Sequence, residues 1–143
     1  MVVKRSEDGG HSWSSIIVVR DDGDNACDNP IPIVDRRTGR IVLVTCWGAG
    51  SETESDINRN TVKKGRRLFV CHSDDNGLSW SESKDITDSV KKADWAWDVT
   101  GPCHGIQLQK GKHKDRFVVP ANRTYIGQNG TYSHMIYSDD GEK

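Results

Sequence analysis

Apolar residues in this chain come in short runs, rich in β-branched side chains and separated by polar turns. The clearest are Ile16-Ile17-Val18-Val19, Pro30-Ile31-Pro32-Ile33-Val34, Ile41-Val42-Leu43-Val44-Thr45-Cys46 and Leu68-Phe69-Val70-Cys71-His72, followed by residues 105–109, 116–120 and 132–137. Runs of this length and make-up predict strands. Residues 35–40, Asp-Arg-Arg-Thr-Gly-Arg, join two of them as a hairpin that bends at Thr38-Gly39, and residues 110–115 form the next such turn. Residues 1–5 read as the end of a strand, 14–20 as a strand, 21–29 as a polar loop and 48–65 as a long polar loop. The basic cluster Lys63, Lys64, Arg66 and Arg67 closes that loop and reads as a solvated face. Residues 86–92 carry the pattern of one helical turn, so the predicted fold class is all-β.

An internal repeat organises these strands. Residues 6–13 read Ser-Glu-Asp-Gly-Gly-His-Ser-Trp, residues 73–80 read Ser-Asp-Asp-Asn-Gly-Leu-Ser-Trp, and Ser138-Asp139-Asp140-Gly141 opens a third copy. Asp and Ser bond back to nearby amides, Gly accepts a positive φ, and the closing Trp offers a large face to pack, so each copy reads as a tight turn with an anchor. The copies begin 67 and 65 residues apart, a period that suits one four-stranded propeller blade. With 143 residues the chain holds about two periods. Propellers close with about four to eight blades, so further blades are expected as partners of these two.

Composition narrows the function. Charged residues make up 29% and aromatic residues 7% of the chain, and the formal net charge is −1, without the basic excess of a nucleic-acid binder. No apolar run approaches the roughly 20 residues of a membrane span. Cys27, Cys46, Cys71 and Cys103 lie far apart with no CxxC spacing, so they read as buried thiols rather than a zinc site. No motif implies a metal or an organic cofactor.

Three segments in order carry a family resemblance. The SxDxGxSW copies resemble the Asp boxes of sialidases. Asn29-Pro30-Ile31-Pro32-Ile33-Val34-Asp35 with Thr38-Gly39-Arg40-Ile41 is similar to the family's NPxPxxD…TGxI segment. The run from Trp95 through Thr100-Gly101-Pro102-Cys103-His104-Gly105-Ile106-Gln107-Leu108 to Val118-Val119-Pro120-Ala121 resembles the WxWxxTGPGHGIQL…VPA run of exo-α-sialidases, with Cys103 in place of a glycine. The resemblance implies that residues 1–143 are an interior piece of a six-bladed β-propeller, about two four-stranded blades. It implies hydrolysis, with retention, of terminal α-linked sialic acid from glycoproteins, glycolipids or oligosaccharides. Such enzymes use a tyrosine nucleophile with a glutamate, an aspartate acid/base and three arginines on the carboxylate, outside the paired-carboxylate rule of most glycosidases. None of those catalytic groups maps onto this stretch, so Asp8, Asp75, Asp140 and His104 are expected to be structural and Tyr125, Tyr132 and Tyr137 are not the nucleophile.

What does carry over is part of a substrate pocket. Asn29 matches the position whose side chain faces a hydroxyl of the sugar, and an amide can both donate to and accept from a hydroxyl. A turn cap is the competing reading of Asn29. Asp28 stands beside it, Glu54 lies with Glu52 and Asp56 in the loop near the pocket, and Thr100 lines the turn that should face it. Trp95 and Trp97 either wall the site or pack within a blade. A noncatalytic Asp-box propeller that binds carbohydrate or protein is the alternative function, although the Asn29-Pro30 segment and the run from Thr100 to Leu108 favour the enzyme. Two blades alone would leave sheet faces and edges uncovered, so the isolated chain is expected to associate.

Overall fold

Hydrogen bonding sorts these runs into antiparallel sheets in a computed structural model that describes residues 1–101 and 103–141. Strand β1 (Val2–Val3) pairs with β2 (Ile17–Val18). A four-stranded meander follows, in which β3 (Ala26–Val34), β4 (Ile41–Gly48), β5 (Arg67–Ser73) and β6 (Lys84–Asp85) lie in sequence order. In the next sheet β9 (Phe117–Tyr125) runs between β10 (Tyr132–Ser138) on one side and β7 (Trp95–Thr100) and β8 (Ile106–Gln107) on the other. Helices α1 (Glu54–Asn58) and α2 (Thr87–Val90) are single turns, too short to cross a membrane.

The first strand of each sheet is interrupted at the same place. In β3 the register with β4 shifts between Asp28 and Ile31, and Asn29 takes the left-handed conformation at φ 49°, which Asn tolerates better than most residues. In the second sheet Thr100 pairs with Ala121 and Ile106 with Val118, so β7 and β8 are two halves of one strand broken over residues 101–105. Pro120 sits opposite that break. Its carbonyl accepts from Gly101 N at 2.9 Å, so the missing N–H would have faced the same gap and no ladder bond is lost. That is why β9 runs on to Tyr125, past the proline at which the sequence pattern ends the strand. The pattern also overextends β2, because β1 offers it only two residues to pair with, and it starts β3 late, because the bulge lets Ala26, Cys27 and Asp28 join the sheet. Pro102, part of the Gly101-Pro102 match, lies outside the described residues.

The two complete boxes have one geometry. Ser6 Oγ donates to Asp8 Oδ1 at 2.8 Å and accepts from Gly10 N at 2.7 Å, while Ser12 donates to Asp8 through N at 2.9 Å and Oγ at 2.6 Å. The second copy repeats this at Ser73, Asp75, Gly77 and Ser79, with bonds of 2.8, 2.8, 2.9 and 2.5 Å. The Ser79 hydroxyl and amide hold the Asp75 carboxyl down at about 2, so it stays an acceptor. Arg5 Nε donates to Asn76 O at 2.6 Å and links one box to the next. The third box begins the same way, with Ser138 Oγ on Asp140 Oδ1 at 2.9 Å.

Alternation along the strands builds the core between the two four-stranded sheets. Ile31, Ile33, Val42, Val44 and Leu68 of the first pack on Phe117, Val119 and Ile136 of the second, with Ile86 closing the cluster. Near the box end, Asp35 of the β3–β4 turn accepts from Arg37 N at 3.0 Å, from the Arg37 guanidinium and from Gln107 Nε2 at 2.8 Å, and Gln107 Oε1 accepts from Arg36 N at 2.9 Å. In the middle Gly105 N donates to Pro32 O at 3.2 Å. A side chain at Gly105 would start 2.5 Å from Ile33, so glycine is what lets the sheets meet there.

Gly105→Ala is therefore expected to cost about 1–3 kcal/mol in urea denaturation of the intact protein. Gly101→Ala, whose new methyl meets nothing closer than 3.7 Å, should stay within about 0.5 kcal/mol of the parent. The outer face of the second sheet exposes Met135 by 71% and Tyr137 by 61%, beside Ile106. The 143-residue chain on its own should therefore self-associate, and light scattering that shows a monomer at tens of micromolar would contradict this.

Candidate functional site

At the end of the seam away from the boxes, polar side chains replace the aliphatic ones. Asn29 lies five residues from the end of β3 at Val34, about 17 Å along an extended strand. Its Nδ2 donates to Thr100 O at 3.0 Å, and Thr100 Oγ1 donates back to Asn29 O at 2.7 Å. Cys46 Sγ sits 3.2 Å from Thr100 Oγ1 and accepts from Thr100 N at 3.2 Å. Two of these bonds tie the bulge of β3, and two tie β4, to the broken strand of the second sheet, and burial pushes the Cys46 thiol up, so it remains a neutral partner. Thr100 is fully buried, with its hydroxyl engaged on Asn29 O. It holds Asn29, and the Asn29 carbonyl oxygen Oδ1 stays free among the described residues.

The neighbouring groups divide sharply. Asp28 pairs through Oδ1 with Arg66 Nη2 and keeps 42% of its side chain exposed. Glu54, in the first turn of α1, is exposed and forms no hydrogen bond among the described residues. The other two loop carboxylates are structural. Asp56 completes a capping box with Thr53, accepting its hydroxyl at 2.5 Å while Thr53 Oγ1 accepts from Asp56 N at 3.2 Å. Glu52 gathers the amides of Lys63, Lys64 and Gly65 at 3.2, 3.1 and 2.8 Å. Helix α1 docks on the second sheet through buried Ile57 and through Asn58 Oδ1, which accepts from Thr124 Oγ1 at 2.6 Å.

The basic cluster at residues 63–67 is only partly the solvated face its composition predicts. Arg66 is 6% exposed, with its guanidinium 4.9 Å over the Trp97 ring, and Arg67 pairs with Asp85 at 2.6 Å. A signal was present: Arg66 precedes Leu68 by two positions, so in a strand both face the core. Trp95 is buried, with Arg123 4.3 Å over its ring and His134 edge-on at 4.8 Å. His104 and Cys103 are exposed on the break between β7 and β8.

Sequence reading missed a buried polar group beneath these residues. Asp98 of β7 is 0% exposed, and His134 Nε2 of β10 lies 3.4 Å from its Oδ1. Neither oxygen of Asp98 and neither ring nitrogen of His134 makes a hydrogen bond among the described residues. Burial pushes the Asp98 carboxyl up to about 7, against the pull of Lys91 and Arg123, and burial together with Arg123 pushes the His134 imidazole down. Lys91, itself lowered by burial, reaches Ala96 O at 2.7 Å.

Antiparallel four-stranded blades packed face to face, with a box at each outer turn, are the architecture of a β-propeller, and comparison with known proteins agrees. The chain belongs to the BNR repeat-like domain family, which it matches over residues 1–143. It is 37% identical to human Sialidase-3 over 128 residues, covering 78% of this chain and 28% of that protein. It is 32% identical to an exo-alpha-sialidase of Aspergillus fumigatus over 145 residues, covering 90% of this chain and 34% of that one. Among solved structures, the Hadza microbial sialidase Hz136 superposes with a TM-score of 0.83 at 25% identity, over 98% of this chain and 29% of that one. The chain thus spans about a third or less of the length of these sialidases.

The buried carboxyl sets a pH dependence. Its unfolded value is 3.8 and its folded value about 7, so its contribution to stability is full below pH 3.8 and is lost as pH rises through 7. His134 works the other way, its lowered value costing stability as pH falls below 6.5. Asp98→Asn removes the first effect alone. The parent's melting temperature relative to Asp98→Asn is expected to fall steadily between pH 4 and pH 8, and a flat difference would contradict the buried-acid assignment.

Proposed function

We propose that these residues are a partial propeller domain of an exo-α-sialidase, and that the Asn29 and Asp28 edge forms part of its substrate pocket. The substrate class is terminal α-linked sialic acid on glycoproteins, glycolipids or oligosaccharides. One observation carries the reading: the bonds among Asn29, Thr100 and Cys46 leave the Asn29 amide oxygen free among the described residues, one position along the chain from the half-exposed Asp28 carboxylate, at the end of the seam opposite the boxes. Two acceptors on consecutive residues suit the hydroxyl groups of a sugar, and the charged one binds the more strongly. Preorganisation supports the same use, because neither group must be ordered when substrate arrives.

The chemistry of bond cleavage is assigned to other parts of the protein. The nucleophile, its glutamate, the acid/base aspartate and the arginines that grip the substrate carboxylate belong to blades outside these residues, and those blades are the structural partners of the two described. Within the stretch, Asn29 and Asp28 orient the sugar, Thr100 and Cys46 hold Asn29, and the boxes fasten the far rim. Glu54 is an exposed carboxylate in the first turn of α1, available to a larger glycan.

The full-length protein decides the matter with a fluorogenic α-sialoside. Cleavage is expected from the whole protein and none from residues 1–143 alone. Asn29→Gly, which keeps the left-handed backbone but removes the amide, should raise KM by about 3- to 10-fold with kcat little changed. A full-length protein that binds sialosides without cleaving them would favour the noncatalytic propeller.

A further inference from the structure

We infer that Arg66 is a positioning residue of this site, holding the Asp28 carboxylate in one orientation so that its second oxygen is a fixed acceptor for the bound sugar. The inference rests on the proposed role of the Asn29 and Asp28 edge and adds to it a side chain from a different strand. Its basis is an asymmetric ion pair. The cation is the buried member at 6% side-chain exposure, and the anion is the accessible one at 42%. An ion pair serving packing alone has no need to leave its carboxylate at the surface, whereas one that presents the carboxylate does.

Three features hold the guanidinium in its slot. Its face lies 4.9 Å over the Trp97 ring. Strand β4 passes beneath it at Gly48, where an added Cβ would come within 2.6 Å of Arg66 Nη1. The Glu52 carboxylate, by gathering the amides of residues 63–65, fixes the backbone that delivers Arg66. Arg66 Nε is buried with no acceptor among the described residues, so Asp28 is the anion that compensates this burial. Lysine could not replace it, because a point charge lacks the flat face that stacks on Trp97.

A mutant cycle in the full-length protein tests the assignment, with free N-acetylneuraminate as competitive ligand and a fluorogenic sialoside for kcat and KM. Asp28→Asn and Arg66→Met are each expected to weaken binding by about 5- to 10-fold with kcat little changed, and the double variant to be no worse than the more damaging single one. Gly48→Ala keeps Arg66 but drives its guanidinium from the slot, and should reproduce part of the loss if Arg66→Met folds poorly. A normal inhibition constant in both Arg66→Met and Gly48→Ala, alongside a weakened Asp28→Asn, overturns the positioning role and spares the pocket. Fully additive losses also overturn it, since Arg66 would then act independently of Asp28. An unaffected Asp28→Asn sinks the pocket reading itself, and the positioning role with it.

Discussion

Everything in this structure depends on one contact, the face-to-face burial of the first four-stranded sheet against the second. Neither sheet could keep its β-branched face in water, and the alternation of Ile31 and Ile33, Val42 and Val44, and Phe117 and Val119 directs those side chains to a common layer. Area alone does not set the alignment of two sheets. Directional bonds do that here: Gln107 on Asp35 at one end, Gly105 on Pro32 in the middle, and Asn29 with Thr100 at the other. The absence of a side chain at Gly105 lets the middle one form.

The seam changes character along its length, and the change explains where a site can exist. Between its two ends it is aliphatic. Toward Asn29 it fills with Asp28, Arg66, Lys91, Asp98, Arg123 and His134, stacked among Trp95 and Trp97. Burying so many polar groups is costly, and the structure offsets the cost unevenly. Asp28 and Arg66 pair, Lys91 finds a carbonyl, and Asp98 responds by holding its proton to about pH 7.

The boxes do a different job from the one their carboxylates suggest. Asp8 and Asp75 each accept from two serines in the same four-bond pattern, so their lone pairs go to closing a turn. They lie on the far rim from Asn29, where a cleft of about 540 Å³ opens beside Asp35, Asp74 and Asp140. Of the carboxylates that line it, Asp35 and Asp74 are held by Arg37 and Arg40, and Asp140 by Ser138. Size does not make it the chemical end of the molecule.

Local chemistry was readable from the chain alone. Turn residues such as Thr38-Gly39, the repeated boxes and the period-two alternation of β3 and β4 specify strands, hairpins and a blade, because each acts over a few neighbouring residues. The position of Asn29 was legible too, through the motif around Pro30. Tertiary structure alone decided the partners. Thr100 looks like any turn residue until Asn29, 71 positions away, takes its hydroxyl proton and Cys46, 54 positions away, takes its amide. Arg66 looks like one more surface cation until the seam sets it against Asp28, 38 positions earlier. Asp98 and His134 carry no local signal, because what makes them notable is burial, and burial belongs to whichever face the second sheet happens to cover.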